Sequence, residues 1–168
     1  IAAGNQLTAA NMSLYGGNEG LVNITSGDNN VAVGDQSLAD TTTGSQNTAI
    51  GEMSLKSNTT GAGNTALGRF SLYSNSTGGD NVAVGVGALT ANIEGSQNTA
   101  IGSAAGSNNV LGTGNVFIGY MAGSQTSGSN MLVIDNSSTN TPLIYGDFAQ
   151  DSLTINGNLN VTGGLNLP

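Results

Sequence analysis

The chain has no cysteine, no histidine and no tryptophan. Without cysteine there are no disulfides, no thiolate metal ligands and no thiol nucleophile. Without histidine there is no imidazole base and no imidazole metal ligand. Charge is also scarce: Lys56 and Arg69 are the only cations, against ten acids, for a net charge of −8. Only 7 % of residues are charged, where about 25 % is usual. Phosphate recognition needs clustered Lys and Arg, so this balance argues against nucleic acid as a partner. No apolar run approaches the ~20 residues of a membrane-spanning helix, and membrane insertion of this segment is not expected.

In place of charge stand Asn, Ser, Thr and 27 glycines in 168 residues. The glycines keep a count of 17: Gly17, Gly34, Gly51, Gly68, Gly85, Gly102 and Gly119. Gly27, Gly44, Gly61, Gly78, Gly95 and Gly112 form a second column at the same interval. A fixed period without insertions marks a solenoid in which each repeat is one coil. The phase extends to Ala2-Ala3-Gly4, which recurs as Ala104-Ala105-Gly106, so the chain begins in mid-repeat and reads as a piece of a longer protein.

Each coil carries a motif of the type Asn47-Thr-Ala-Ile-Gly51 or Asn81-Val-Ala-Val-Gly85. β-branched residues alternating with Ala predict a short strand, closed by a glycine that supplies a positive φ or a close backbone approach. A second short strand is expected at Ser37-Leu38, Ser54-Leu55, Ser71-Leu72 and Ala88-Leu89, with Met53 beside Leu55 and Phe70 beside Leu72 on one face. A polar turn such as Ser57–Gly61 follows. The expected fold is all-β: a parallel β-solenoid over residues 1–127, with coils stacked at ~4.8 Å. From about Gly128 the period fails, since Asn130 follows Asn115 by 15 residues. Residues 128–168 are therefore read as a β-segment of different pattern, intertwined between chains. There Leu153, Ile155, Leu159, Val161 and Leu165 recur nearly every second residue. Asn156-Gly157 suits either a hairpin turn or a corner between extended segments, and the corner is the reading preferred here.

A coil this thin has room inside only for Ala, which leaves Val33, Ile50, Leu67, Val84, Ile101 and Ile118 on its outer face. A continuous apolar stripe asks for a partner, and identical chains wound about one axis bury it. These six residues, with Leu153, Ile155, Leu159 and Val161, are the candidate core of a homotrimer. The column Asn30, Asn47, Asn64, Asn81, Asn98 and Asn115 suits a ladder of side-chain amides, although Asn also favours turns. Tyr15 and Phe117 replace Ala in the two outermost coils, either as caps or as drift at the boundaries.

The Asn-x-Ala-Ile-Gly turns resemble the head repeats of trimeric autotransporter adhesins, left-handed parallel β-rolls whose repeats are usually shorter than these. The 17-residue form, followed by Thr141-Pro-Leu-Ile-Tyr-Gly-Asp-Phe148 and Thr154-Ile-Asn-Gly-Asn-Leu-Asn-Val-Thr-Gly163, looks more like bacteriophage tail-fibre proteins. In those proteins such a stretch commonly precedes an intramolecular chaperone that is cleaved off after trimerisation. The resemblance implies a homotrimeric, extracellular fibre segment on a virion or a bacterial surface. Such a segment would touch a host receptor or glycan, have no catalytic role and carry no cofactor.

Chemistry is otherwise thin. No Gly-x-Ser-x-Gly elbow occurs, and Asp147 with Asp151 is the only carboxylate pair worth weighing as a glycan-cleaving site. Asp28, Asp80 and Asp135 lack the dense spacing of calcium repeats. Thr43, Thr60 and Thr77 form a row of the sort that ice-binding solenoids present, broken at Glu94. Arg69, whose register also holds Asp35, Glu52, Val86, Ser103 and Tyr120, and Tyr73, in the turn Tyr73–Thr77, are candidate surface contacts.

Overall fold

The computed structural model describes residues 14–162, without the side chains of Leu14 and Tyr15. Ten short strands form one sheet in sequence order: β1 Leu14–Gly16, β2 Val31–Val33, β3 Thr48–Ile50, β4 Thr65–Leu67, β5 Val82–Val84, β6 Thr99–Ile101, β7 Val116–Ile118, β8 Met131–Ile134, β9 Ile144–Asp147 and β10 Ser152–Ile155. Strands β1 to β8 are parallel. Each pairs with the residue 17 further on, as in Ala49↔Ala66, up to β7. The period thus translates into a parallel solenoid, and eight stacked strands span roughly 35 Å.

Within a strand the middle residue faces inward. Ala32, Ala49, Ala66, Ala83 and Ala100 are fully buried, while the first residue is half-buried and the third lies outside. The buried column is narrow because a second one meets it: Leu38, Leu55, Leu72 and Leu89 are also fully buried. Together they make one continuous core along the rod.

The Leu column does not lie on a second strand, as the sequence suggests. Met53 (φ 54°) and Leu55 (φ 51°) are both left-handed, and the pattern recurs at Gln36 and Leu38 and at Phe70 and Leu72. A left-handed Leu costs about 1–2 kcal/mol. Full burial of its side chain returns about 1.5–3 kcal/mol. The backbone still bonds to both neighbouring coils: Met53 N–H donates to Asp35 O (2.8 Å) and Leu55 N–H to Ser71 O (3.0 Å). Alternating left-handed residues thus satisfy the inter-coil ladder while turning the chain tightly enough to close a 17-residue coil. Leu55 points inward and Met53 is only half-buried, so the two do not share a face.

The two glycine columns have different causes. Gly51 sits at φ 136°, where side chains are strained, and a Cβ there would stand 2.6 Å from the carbonyl carbon of Gly68. Gly61 has no such φ. A Cβ there would press into the Gly78 carbonyl and the Asn58 amide and stand 3.0 Å from Asn75 Nδ2.

The seventh coil is one residue short: Val116 pairs with Leu132, 16 residues on. Met131, not Asn130, takes the place of Asn115, and its N–H donates to Asn115 Oδ1 at 2.9 Å. The parallel ladder therefore runs one strand past the boundary read from the period. The change comes after β8, where β9 and β10 add as an antiparallel meander. The β9–β10 turn falls at residues 148–151, held by Asp147 Oδ1 accepting from Ala149 N–H and Gln150 N–H. Asn156-Gly157 lies beyond β10 and is not that turn; Asn156 Nδ2 donates to Pro142 O at 2.7 Å.

Phe117 is fully buried. In its neighbourhood the Leu column changes to Gly106 and Gly123. A Cβ at Gly106 would stand 2.5 Å from the Phe117 ring, and one at Gly123 would press into the same ring. One aromatic ring thus fills the volume of an Ala and its neighbouring Leu side chains. For Tyr15 the backbone pairs with Ala32, and the side chain lies outside the described residues, as do Ala2-Ala3-Gly4 and Leu165.

Candidate functional site: two ladders inside, a stripe and a patch outside

The Asn column forms the ladder that its recurrence suggests. Asn47 Nδ2 donates to Asn30 Oδ1 (3.1 Å), Asn64 to Asn47 (3.1 Å), Asn81 to Asn64 (3.0 Å) and Asn98 to Asn81 (3.0 Å). Each Oδ1 also accepts the next Asn backbone N–H, as Asn47 Oδ1 does from Asn64 at 3.0 Å. The second proton of each Nδ2 goes to a glycine carbonyl, as from Asn64 to Gly78 O at 2.9 Å. Every polar atom of these buried amides in the middle rungs is thereby used. At Asn115 the pattern shifts: Nδ2 donates to Asn109 Oδ1 (3.1 Å), while Asn98 Oδ1 still accepts the Asn115 N–H.

A second ladder runs through Asn58, Asn75, Asn92 and Asn109, with Nδ2–Oδ1 distances of 2.9, 2.7 and 3.2 Å. Its amides share the same glycine carbonyls: Gly78 O accepts from both Asn64 and Asn75. These four Asn stand at an interval of 17 in the sequence, but they sit inside turn-like stretches, where Asn passes for a turn former. In the preceding coil the position holds Thr41, whose buried Oγ1 has no partner.

Outside, the third strand positions form a line. Val33 (39 %), Ile50 (39 %), Leu67 (45 %), Ile101 (43 %) and Ile118 (37 %) are exposed, and Val84 is half-buried. Parallel pairing without a slip places them one above another. Leu153 (62 %) on β10 and Leu159 (62 %) and Val161 (42 %) beyond it are exposed as well, and Ile155 is half-buried.

The second external feature gathers the two cations. Arg69 Nε meets Glu52 Oε2 at 3.1 Å, and the guanidinium lies 4.3 Å from the Phe70 ring centroid. Phe70 meets Tyr73 edge-to-face at 5.6 Å and 85°. Lys56 Nζ stands 5.9 Å from the Tyr73 centroid. The structure so joins Arg69 and Tyr73, singled out separately from the sequence, through Phe70 into one patch with Lys56 and Glu52. The link is legible at an interval of 17, since Tyr73 lies one coil above Lys56 and Arg69 one coil above Glu52.

The remaining candidates carry less. Asp147 is occupied as the turn acceptor described above, and Asp151 is exposed at φ 51°. Asp135 has its carboxyl held below the ordinary range, chiefly by the Ser137 hydroxyl (2.6 Å) and then by neighbouring backbone N–H groups. No cluster of three or more His, Cys, Asp or Glu side chains suited to a metal occurs among the described residues. Thr43, Thr60 and Thr77 are exposed, but the adjoining Thr42 and Thr59 hydroxyls donate to Thr59 O and Ser76 O. Among the described residues no helix is long and apolar enough to cross a membrane. No family model, no curated protein and no solved structure matches the chain.

Proposed function

We propose that this chain is a structural segment of an extracellular fibre, of the phage tail-fibre or adhesin-head kind. In this reading it assembles as a homotrimer and holds an attachment surface away from a virion or cell. The observation that carries the reading is the exposed line from Val33 to Ile118 on a rod whose interior is already filled. An apolar stripe of that length on a lone chain invites association, and a stripe repeated along a straight rod mates best with copies of itself. The interior explains why the rod can serve as a spacer: the coils from Asn30 to Asn115 are bonded to one another through backbone and amide ladders, so bending them breaks buried hydrogen bonds.

The test is the native mass of the chain and of an Ile50→Asp, Ile101→Asp variant. Three chains are expected for the parent and one for the variant, because carboxylates facing one another across an apolar axis would have to be desolvated. A monomeric parent would overturn the trimer.

A further inference from the structure

Two adjacent coils depart from the rest of the rod at the same three columns. Where other coils carry Asp35, Gln36 and Ala39, or Ser103, Ala104 and Ser107, these carry Glu52, Met53 and Lys56, then Arg69, Phe70 and Tyr73. Both cations of the chain fall inside this departure, together with two of its seven aromatic side chains. The coils on either side carry Asp35, Gln36 and Ala39, and Val86, Gly87 and Thr90, with no cation and no aromatic ring at these columns.

We propose that the Glu52–Lys56–Arg69–Phe70–Tyr73 patch binds an acidic saccharide, one bearing a carboxylate or a sulfate on a pyranose ring. The site is the attachment surface that the fibre reading requires, but binding to it needs only the folded chain. Arg69 is held from two sides, by Glu52 at Nε and by the face of Phe70, so its fork of donors is already oriented. Among the described residues its terminal nitrogens have no hydrogen-bond partner, and its side chain is 56 % exposed. Those nitrogens suit a planar or tetrahedral oxyanion, and the Lys56 ammonium, 5.9 Å from the Tyr73 ring centroid, adds positive charge at the far side of the patch. The half-buried Tyr73 ring offers an apolar plane with a hydroxyl at its rim, which matches the C–H face and hydroxyls of a sugar.

The same groups argue against other anions. Glu52 repels a bare anion but accepts a hydrogen bond from a sugar hydroxyl. A long polyanion would have to lie along a rod of net charge −8, which repels it beyond the patch. Only a small ligand that combines one negative group, hydroxyls and an apolar face uses every member of the cluster.

The experiment is an NMR titration of the full chain, following the Tyr73 and Phe70 ring protons. The probes are glucuronic acid, N-acetylneuraminic acid and galactose 6-sulfate, with glucose and inorganic sulfate as comparisons. At least one acidic sugar should give saturable shifts in the millimolar range, weakened by added salt, while glucose and sulfate give none. Arg69→Gln and Lys56→Gln should each weaken binding by about tenfold, the loss of one charge-assisted contact. Both variants are surface changes, and an unchanged melting temperature would show that the fold is intact. The proposal is overturned if no acidic sugar shifts the rings, or if inorganic sulfate shifts them equally. A chain that proves monomeric yet gives the shifts would sink the trimer and leave this site standing.

Discussion

Replacing Asn64 by Ala isolates what one rung of the inner ladder contributes. The side chain donates to Asn47 Oδ1 (3.1 Å) and Gly78 O (2.9 Å), and it accepts from Asn81 N–H (3.1 Å) and Asn81 Nδ2 (3.0 Å). Three of these partners keep a second bond: Asn47 Oδ1 from the Asn64 N–H, Gly78 O from Asn75, and Asn81 Nδ2 to Gly95 O. The Asn81 N–H is left with nothing. A buried donor without a partner costs about 1–3 kcal/mol, and each of the other bonds contributes about 0.5–1.5 kcal/mol net. The expected loss is therefore about 3–7 kcal/mol. For a chain of this size that lowers the melting temperature by on the order of 10 °C. Asn75→Ala should cost less, because the second ladder accepts no backbone N–H: the Asn92 N–H bonds to Leu89 O instead. The assay is thermal unfolding followed by circular dichroism, with amide exchange at residue 81 as the local readout. Thr60→Ala, an exposed change in the adjoining turn, serves as the control. An Asn64→Ala melting temperature no lower than the control's, or an Asn81 amide as protected as before, would refute the reasoning.

Two further substitutions follow from the ends of the rows. Thr41→Asn should raise stability by about 1 kcal/mol, measured by denaturant melts, because it removes a buried hydroxyl without a partner and adds a rung below Asn58. Phe117→Ala should cost about 3–5 kcal/mol in the same assay. Gly106→Leu alone should also destabilise, since its Cβ meets the Phe117 ring. The two together should recover part of the loss by restoring the Ala-and-Leu coil of the preceding repeats, and additive losses would contradict the volume exchange.

How far the sequence carried these conclusions depends on the physical origin of each feature. The coil length, the strand motif, the inward Ala and the outward Ile50 line were all legible, because parallel pairing copies one residue per period. The left-handed Leu55 was not legible. Leu has no preference for that conformation, and only the closure of a 17-residue coil imposes it. The second Asn ladder was hidden by composition: Asn58 and Asn75 sit among Ser, Thr and Gly, where local turn chemistry explains them without reference to a neighbouring coil. The short seventh coil was miscounted because Asn130 mimics a ladder residue, while the actual successor to Asn115 is Met131, which offers only its backbone N–H. The patch around Arg69 was half legible, since the residues were visible but their joining through Phe70 needed the left-handed turn that brings them together.

The meander after β8 changes how the sheet is continued. From β1 to β8 one parallel register links each strand to the next. Downstream, β9 runs antiparallel to β8 and β10 antiparallel to β9, so β10 again points the same way as β1 to β8. The edge strand β10 is therefore tied to the parallel stack through one reversed strand, with a four-residue turn at 148–151 in place of a 17-residue coil. The meander thus ends the 17-residue register while keeping the sheet continuous, so the hydrogen-bonded ladder outlasts the repeat that built it.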